Sequence, residues 1–256
     1  MSTPSSLAAL RVRLAAVATP AGRHGAVTFG DPAVDAHLPP GGLALGTLHE
    51  VAAEGLEAET GALTAAFAAV LLARLLARPG EARPAIWIAR AADLYPPGLA
   101  AYGIDPARLL LVQSGGDALT LAAAEAALRD GAAAVVVAET GAFPRLAGRR
   151  LRLAAETRGS IGLVLRRWPY GRRPTETADG TAAATRWRLA PAPSRPEGRE
   201  PGRPCWQVAL VQARGGRPGG WVMALDGEED GDAPHALRVV AALADASGRT
   251  PQRRRA

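Results

Sequence analysis

The sequence predicts an α/β fold: a mostly parallel sheet flanked by helices, with antiparallel strands at its C-terminal edge. Two observations predict it. Between Thr47 and Leu165, short continuous apolar runs alternate with helix-length stretches, the pattern of strands buried on both faces. Beyond Arg166 the character changes to Pro, Gly, Thr and Arg, and then to strand-like pieces joined by a glycine-rich turn. Length and composition agree. The chain has 256 residues, 48% hydrophobic and 21% charged, which is globular composition with enough chain to bury a core.

The elements follow in order. Ser6 to Ala16 reads as a short amphipathic helix with Ser5 or Ser6 as N-cap, and a polar, Gly/Pro-punctuated segment follows to Gly42. Thr47 to Ala52 is a strand and Thr60 to Ala77 a long Ala/Leu helix. Pro84 to Ala89 is the second strand, Leu109 to Val112 the third, Ala118 to Arg129 a helix, and Ala133 to Ala138 the fourth strand. Arg145 to Arg158 is a helix and Ile161 to Leu165 the fifth strand. Thr185–Leu189, Trp206–Ala213 and Gly220–Leu225 follow as strands, the last two turned by Arg214 to Gly219. Pro191 to Pro204 reads as a flexible Pro-rich excursion, Asp226 to Asp232 as an acidic linker, Pro234 to Ala246 as a helix, and Arg253 to Arg255 as a disordered end. The expected division is an arm over 1–28, a core over 29–226 with a basic loop at 166–183 and a Pro-rich loop at 191–204, and a tail over 227–256.

Composition excludes several chemistries. All 30 basic residues are arginine, so Schiff-base chemistry and the phosphate-binding lysine of a P-loop are ruled out. Coding bias explains most of that absence, but would not delete a lysine on which catalysis depends. The single cysteine, Cys205, forms no intramolecular disulfide and no multi-thiolate metal site. His24, His37, His49 and His235 lack metal-ligand spacing, and Asp226–Gly231 opens like a calcium loop but meets Leu237 at the twelfth position. There is no G-x-S-x-G elbow. No catalytic residue, metal or cofactor is therefore expected.

Charge is uneven. Residues 1–145 carry a net −3 and residues 146–256 a net +9, with 16 Arg against 5 acids between Arg145 and Arg217. Such a stripe fits a polyanion or an acidic protein face, or else a solvated arginine surface. The N-terminal segment lacks an uninterrupted apolar h-region, and the apolar run Ala62 to Ala73 ends at Arg74, short of a membrane span. The expected location is the cytoplasm, without membrane contact.

Gly41-Gly42-Leu43-Ala44-Leu45-Gly46-Thr47-Leu48-His49-Glu50-Val51 resembles the approach to the phosphate loop of RecA-type ATPases. Laid on that loop, the chain has Ala53 and Ala58 where glycines would curl around phosphate, Glu59 where the lysine belongs, and only Thr60 in agreement. Glu54, Glu57 and Glu59 would confront a triphosphate. One such like-charged pair at 4 Å repels by about 4 kcal/mol even at an effective dielectric of about 20. Ala91 stands at the catalytic glutamate position after the second strand, and Glu139 (or Ala138) at the magnesium-binding aspartate position.

Further blocks narrow the resemblance. Phe29 to Leu43, Asp93 to Ala100, Gly103 to Leu109, Ala184 to Ser194 and Arg214 to Gly219 together resemble the ImuA family over roughly Phe29 to Leu225. This family comprises RecA- and SulA-like bacterial proteins of damage-inducible mutagenesis that lack ATPase motifs. The resemblance implies a RecA-like core serving as a non-catalytic adaptor in error-prone translesion synthesis. Its implied partners are RecA, an ImuB-like Y-family polymerase homologue and, through ImuB, a DnaE-type polymerase. A SulA-type division inhibitor, a RecA-paralogue ATPase and a free-standing nucleic-acid module are the alternatives.

In RecA-like folds the loop after the fifth strand faces single-stranded DNA. Here it opens Arg166-Arg167-Trp168-Pro169-Tyr170-Gly171-Arg172-Arg173. Arg166, Arg167, Arg172 and Arg173 could pair with phosphates while Trp168 and Tyr170 stack on bases, at about 1–3 kcal/mol per stacked base. The same residues could equally meet a protein partner. Trp187, Trp206 and Trp221, each on a strand, are expected to pack in the core or at its edge.

Overall fold

The computed structural model describes residues 21–39, 41–91, 93–168, 182–197, 200–225 and 237–242. The apolar runs become strands because each has two faces to bury. After helix α1 (Ala21–His24), a short clip of β1 (Ala26–Val27) pairs with β2 (Leu43–Ala44), with α2 (Pro32–Asp35) between them. β3 (Leu48–Ala53), α3 (Glu57–Leu76), β4 (Ala85–Ala89), α4 (Pro96–Ala100) and β5 (Leu109–Gln113) follow. Next come α5 (Asp117–Asp130), β6 (Val135–Thr140), α6 (Arg145–Arg158) and β7 (Ile161–Arg166). The order ends with β8 (Thr185–Glu197), β9 (Glu200–Ala213), β10 (Gly219–Leu225) and β11 (Leu237–Ala242).

Among the described residues nine strands form one sheet in the order β11-β10-β9-β8-β3-β7-β6-β4-β5. From β5 to β8 every neighbouring pair is parallel, and β9, β10 and β11 add antiparallel strands at one edge. The expected fold class is therefore the observed one.

Strand alternation divides the core into two layers. Leu48, Ile88 and Val136 join Leu121, Leu128 and Leu151 of α5 and α6 in one cluster. Val51, Trp87, Val137, Leu163 and Trp187 join Phe67, Leu71, Leu72 and Leu75 of α3 in the other. Trp187 is fully buried between Phe29 and Phe67, and Trp206 and Trp221 are buried too, as expected of strand tryptophans. Helix α3 is long and apolar enough to cross a membrane by length and composition, yet its apolar residues from Phe67 to Leu76 supply the core of this sheet. Glu57 and Glu59 in its first turn complement the helix dipole, and Arg108 reaches its other end to donate to the Leu76 carbonyl at 2.9 Å.

Two expectations are corrected. Within the span expected as a helix, Pro234–Ala246, the described residues Leu237–Ala242 form strand β11, paired with β10. Its alanines suggest a helix, but Leu237 and Val239 complete the core layer beside Met223 and Leu225, and pairing covers the flank of β10. Pro191–Pro204 is not an open loop either. β8 and β9 continue as a two-stranded ribbon as far as the pair Glu197–Glu200. β3 pairs with β8 only through Leu189, so Pro191 and Pro193 lie where, among the described residues, β8 has no neighbour on that side to receive an N–H. The expected N-terminal helix, acidic linker and arginine end lie outside the described residues.

The block from Phe29 to Leu43 fastens this architecture. Asp35 accepts the Phe29 and Gly30 amides at 2.6 and 3.1 Å, while Asp31 caps α2 at Ala33 and accepts the Val239 amide of β11 at 2.8 Å. Gly42 has φ +104°, and a Cβ there would stand 2.2 Å from the Val27 carbonyl oxygen. Gly42→Ala is therefore expected to cost about 3 kcal/mol from strain and clash together. Gly80→Ala, at φ +78° but in open space, is expected to cost about 1 kcal/mol. Denaturant melts of the two variants check the difference.

The connection from β3 through α3 to β4 skips the places that β6 and β7 later fill. As a result the C-terminal ends of β3, β7, β6 and β4 stand side by side. That edge is where open α/β sheets bind ligands.

Candidate functional site

Each of these strand ends contributes a charged side chain, and they converge on Arg167, the residue directly after β7. Its Nε donates to Glu57 Oε1, in the first turn of α3, at 2.8 Å. Nη1 donates to Glu139 Oε2, on β6, at 2.8 Å, and Nη2 donates to Asp93 Oδ2, beyond β4, also at 2.8 Å. Glu57 uses its second oxygen to accept the Trp168 amide at 3.2 Å, and Glu139 uses its own to accept Trp87 Nε1 at 2.7 Å. The geometry is three-sided, and a planar guanidinium fork suits it where a lysine would not.

Burial makes the cluster consequential. The Arg167 side chain is 8% exposed and that of Glu139 4%, whereas Asp93 reaches solvent. Burial opposes the Arg167 charge, but the hydrogen bonds it donates to Asp93 and Glu57 and the charges of Glu139 and Asp93 outweigh it, so its pKa is raised. Burial pushes the Glu139 carboxyl upward; Arg167 and the Trp87 indole oppose that shift without cancelling it, and Asp93 adds to it. Trp87→Phe is expected to destabilise the protein by about 1–2 kcal/mol by leaving a Glu139 oxygen unpaired. Urea denaturation measures it.

Gly61 lets the cluster close. A Cβ on this helical glycine would fall 2.6 Å from Glu57 Oε1 and 3.2 Å from Arg167 Nη2.

On the opposite face of the same edge, Glu50 is buried between Arg166 and Arg186, at 3.1 and 3.7 Å. Arg166 Nη2 also donates to the Gly141 carbonyl at 2.7 Å, and the Arg166 guanidinium lies 5.3 Å from the Trp168 ring centroid. Trp168 in turn packs on Gly141, where a Cβ would meet its ring at 2.9 Å.

The structure thus places the sequence-chosen residues as follows. Ala53 ends β3, and Ala58, Glu59 and Thr60 form the first turn of α3, where the Thr60 hydroxyl donates to the Leu56 carbonyl at 2.9 Å. Glu54 faces Arg188 at 3.5 Å. Of the candidate DNA- or partner-binding residues, Arg166 is engaged by Glu50 and Arg167 by Glu57, Asp93 and Glu139, on opposite faces of the sheet. The reason is topological: the residues after β7 lie within reach of acids at the ends of β3, β6 and β4. Tyr170, Arg172 and Arg173 lie outside the described residues.

Sequence reasoning missed the ion cluster and the close approach at Gly61. The available signal was Glu139 and Asp93, each at a strand's C-terminal end, together with an Arg-Arg pair ending the fifth strand. Among the described residues no group of three or more His, Cys, Asp or Glu side chains is arranged to hold a metal ion. The arrangement fixes strand ends to one another; it presents no activated nucleophile.

No protein-family model matches the chain. Among curated proteins, it is 47% identical over 224 residues to Protein ImuA of Caulobacter vibrioides, in each of two strains, covering 86% of this chain and 90% of the relative. Identity at that level over nearly all of both sequences leaves one conclusion: the chain belongs to the ImuA family.

Proposed function

We propose that this chain is a non-catalytic, RecA-like adaptor in damage-inducible, error-prone translesion DNA synthesis. Family membership supports the mutagenesis theme, and one structural observation supports the absence of nucleotide chemistry. Arg167 and its three carboxylates occupy the edge where the loop after β3 would have to receive a phosphate. A triphosphate entering there would meet Glu57, Glu59 and Glu139 and would have to break the Arg167 contacts. The sheet is kept as a rigid scaffold, and the surfaces outside it carry the activity.

In this reading the adaptor joins RecA, an ImuB-like polymerase homologue and, through the latter, a DnaE-type polymerase in the cytoplasm. The basic segment after β7 contacts single-stranded DNA or one of these proteins. Arg172 and Arg173 are the residues to test, because Arg167 serves the interior and Arg166 is paired with Glu50. Arg172→Glu/Arg173→Glu is expected to leave the melting temperature unchanged and to weaken DNA or ImuB binding about tenfold in a titration of purified components. Unchanged binding of RecA, ImuB and DNA would remove that segment from the interface. Failure of the wild-type chain to bind any of them would reject the adaptor reading.

A further inference from the structure

We infer that the outer face of α6 is a docking surface for an acidic, leucine-bearing helix of another protein. The inner face of α6 is accounted for: Leu151, Ala154 and Ala155 are buried against the sheet and α5, and Gly148 lies against Phe143 and Ala182. The outer face is anomalous in two independent ways. Leu146 and Leu153, seven residues apart and so on one side of the helix, are 69% and 55% exposed. Arg145, Arg149 and Arg150 surround them, and Arg149 and Arg150 lie between the two leucines at helical spacing.

The first turn of α6 also violates the rule for helix ends. It contains Arg145 and no acidic residue, and Pro144 at the N-cap supplies no side-chain cap. A cation at that position opposes the helix dipole. Stability alone would favour an acid there, so Arg145 contributes charge to the surface without helping the helix.

Charge complementarity identifies the occupant. Glu125 of α5 is nearly buried and holds two exposed arginines, Arg129 and Arg150, the latter at 2.8 Å. One carboxylate cannot neutralise both, and among the described residues no carboxylate pairs with Arg145 or Arg149. With Glu125 set against Arg129 and Arg150, and Glu156 against Arg152, Arg145 and Arg149 leave an arginine surplus around the two leucines. Nucleic acid would satisfy the arginines but leave the leucines in water. A helix with apolar residues seven apart, flanked by Glu or Asp, satisfies both. The stripe from Leu146 to Leu153 spans about 10 Å, two turns of such a partner.

The test uses the full-length chain and a set of helical peptides of about four turns, each with a leucine pair seven apart flanked by Glu, Gln or Arg. Binding is read by fluorescence anisotropy. The Glu-flanked peptide is expected to bind best, and Leu146→Ser/Leu153→Ser is expected to weaken it about tenfold with the melting temperature preserved. Arg145→Glu/Arg149→Glu is expected to transfer the preference to the Arg-flanked peptide. Equal binding of all three peptides, or no effect of the leucine substitutions, would overturn the inference. So would a single-stranded oligonucleotide whose binding falls with both double variants, since that would assign the face to nucleic acid.

Discussion

Arg167→Ala is expected to destabilise the protein by about 3–5 kcal/mol, because it strands three carboxylates at the edge of the sheet, one of them almost fully buried. At this chain length that corresponds to a fall in melting temperature of about 6–20 °C. The deficit has a pH signature. Burial already raises the Glu139 pKa, and removing the opposing guanidinium raises it further. A carboxyl whose folded pKa lies above its unfolded value gains stability as pH falls through the folded pKa. The gap between variant and wild type is therefore expected to narrow from pH 8 to pH 5, and Glu139→Gln in the Arg167→Ala background is expected to recover part of the loss at pH 8. A gap independent of pH would mean that Arg167 acts through packing alone. Arg167→Lys is expected to fall between, since an ammonium cannot serve three acceptors in a plane as the fork does.

The second large effect belongs to His49. Its ring is fully buried, accepting at Nδ1 from the Thr185 hydroxyl at 2.7 Å and donating from Nε2 to the Ala44 carbonyl at 2.9 Å. Trp187 Nε1 donates to the same Thr185 oxygen at 2.8 Å, which frees the Thr185 hydrogen for the imidazole. Burial holds the His49 pKa down to about 4, against a weaker upward pull from the Ala44 carbonyl. The folded pKa is thus below the unfolded one, near 6.5, so the contribution is complete above about pH 6.5 and is lost as pH falls through 4. By pH 4.5 the loss amounts to about 2–3 kcal/mol. Urea titrations at pH 7 and pH 4.5 are expected to show it in the wild type and to show a correspondingly smaller difference in His49→Gln.

The sequence made the parallel half of this fold legible because its strands are continuous apolar runs with helices between them. The periodicity of Val135–Ala138 or Ile161–Leu165 admits little else. The ribbon and β11 were not legible, for different reasons. Proline in Pro191–Pro204 signals a loop unless one knows that β3 stops pairing at Leu189, which is tertiary information. Leu237–Ala242 is rich in helix-favouring residues and becomes a strand because β10 offers an edge to pair with.

At the candidate site, the expectation that phosphate-loop chemistry is absent rests on Ala53, Ala58 and Glu59, residue by residue. The ion cluster could not be read, because Glu57, Asp93, Glu139 and Arg167 are separated by up to 110 residues and meet only through strand order. The Arg166-Arg167 pair illustrates the cost. Two adjacent arginines in a basic segment suggest an open surface, yet they go to opposite faces of the sheet, one to Glu50 and the other to Glu139.

Thermal denaturation of the wild-type chain with and without millimolar magnesium–ATP shows whether this sheet edge takes a nucleotide. A nucleotide present at about 100 times its dissociation constant would stabilise the native state by about 2.7 kcal/mol, visible as a rise of about 5–10 °C. With Arg167 and its carboxylates filling the edge, no shift beyond about 1 °C is expected. A saturable rise that disappears in Glu57→Ala or Thr60→Ala would place nucleotide at the start of α3 and make the chain a nucleotide-binding protein.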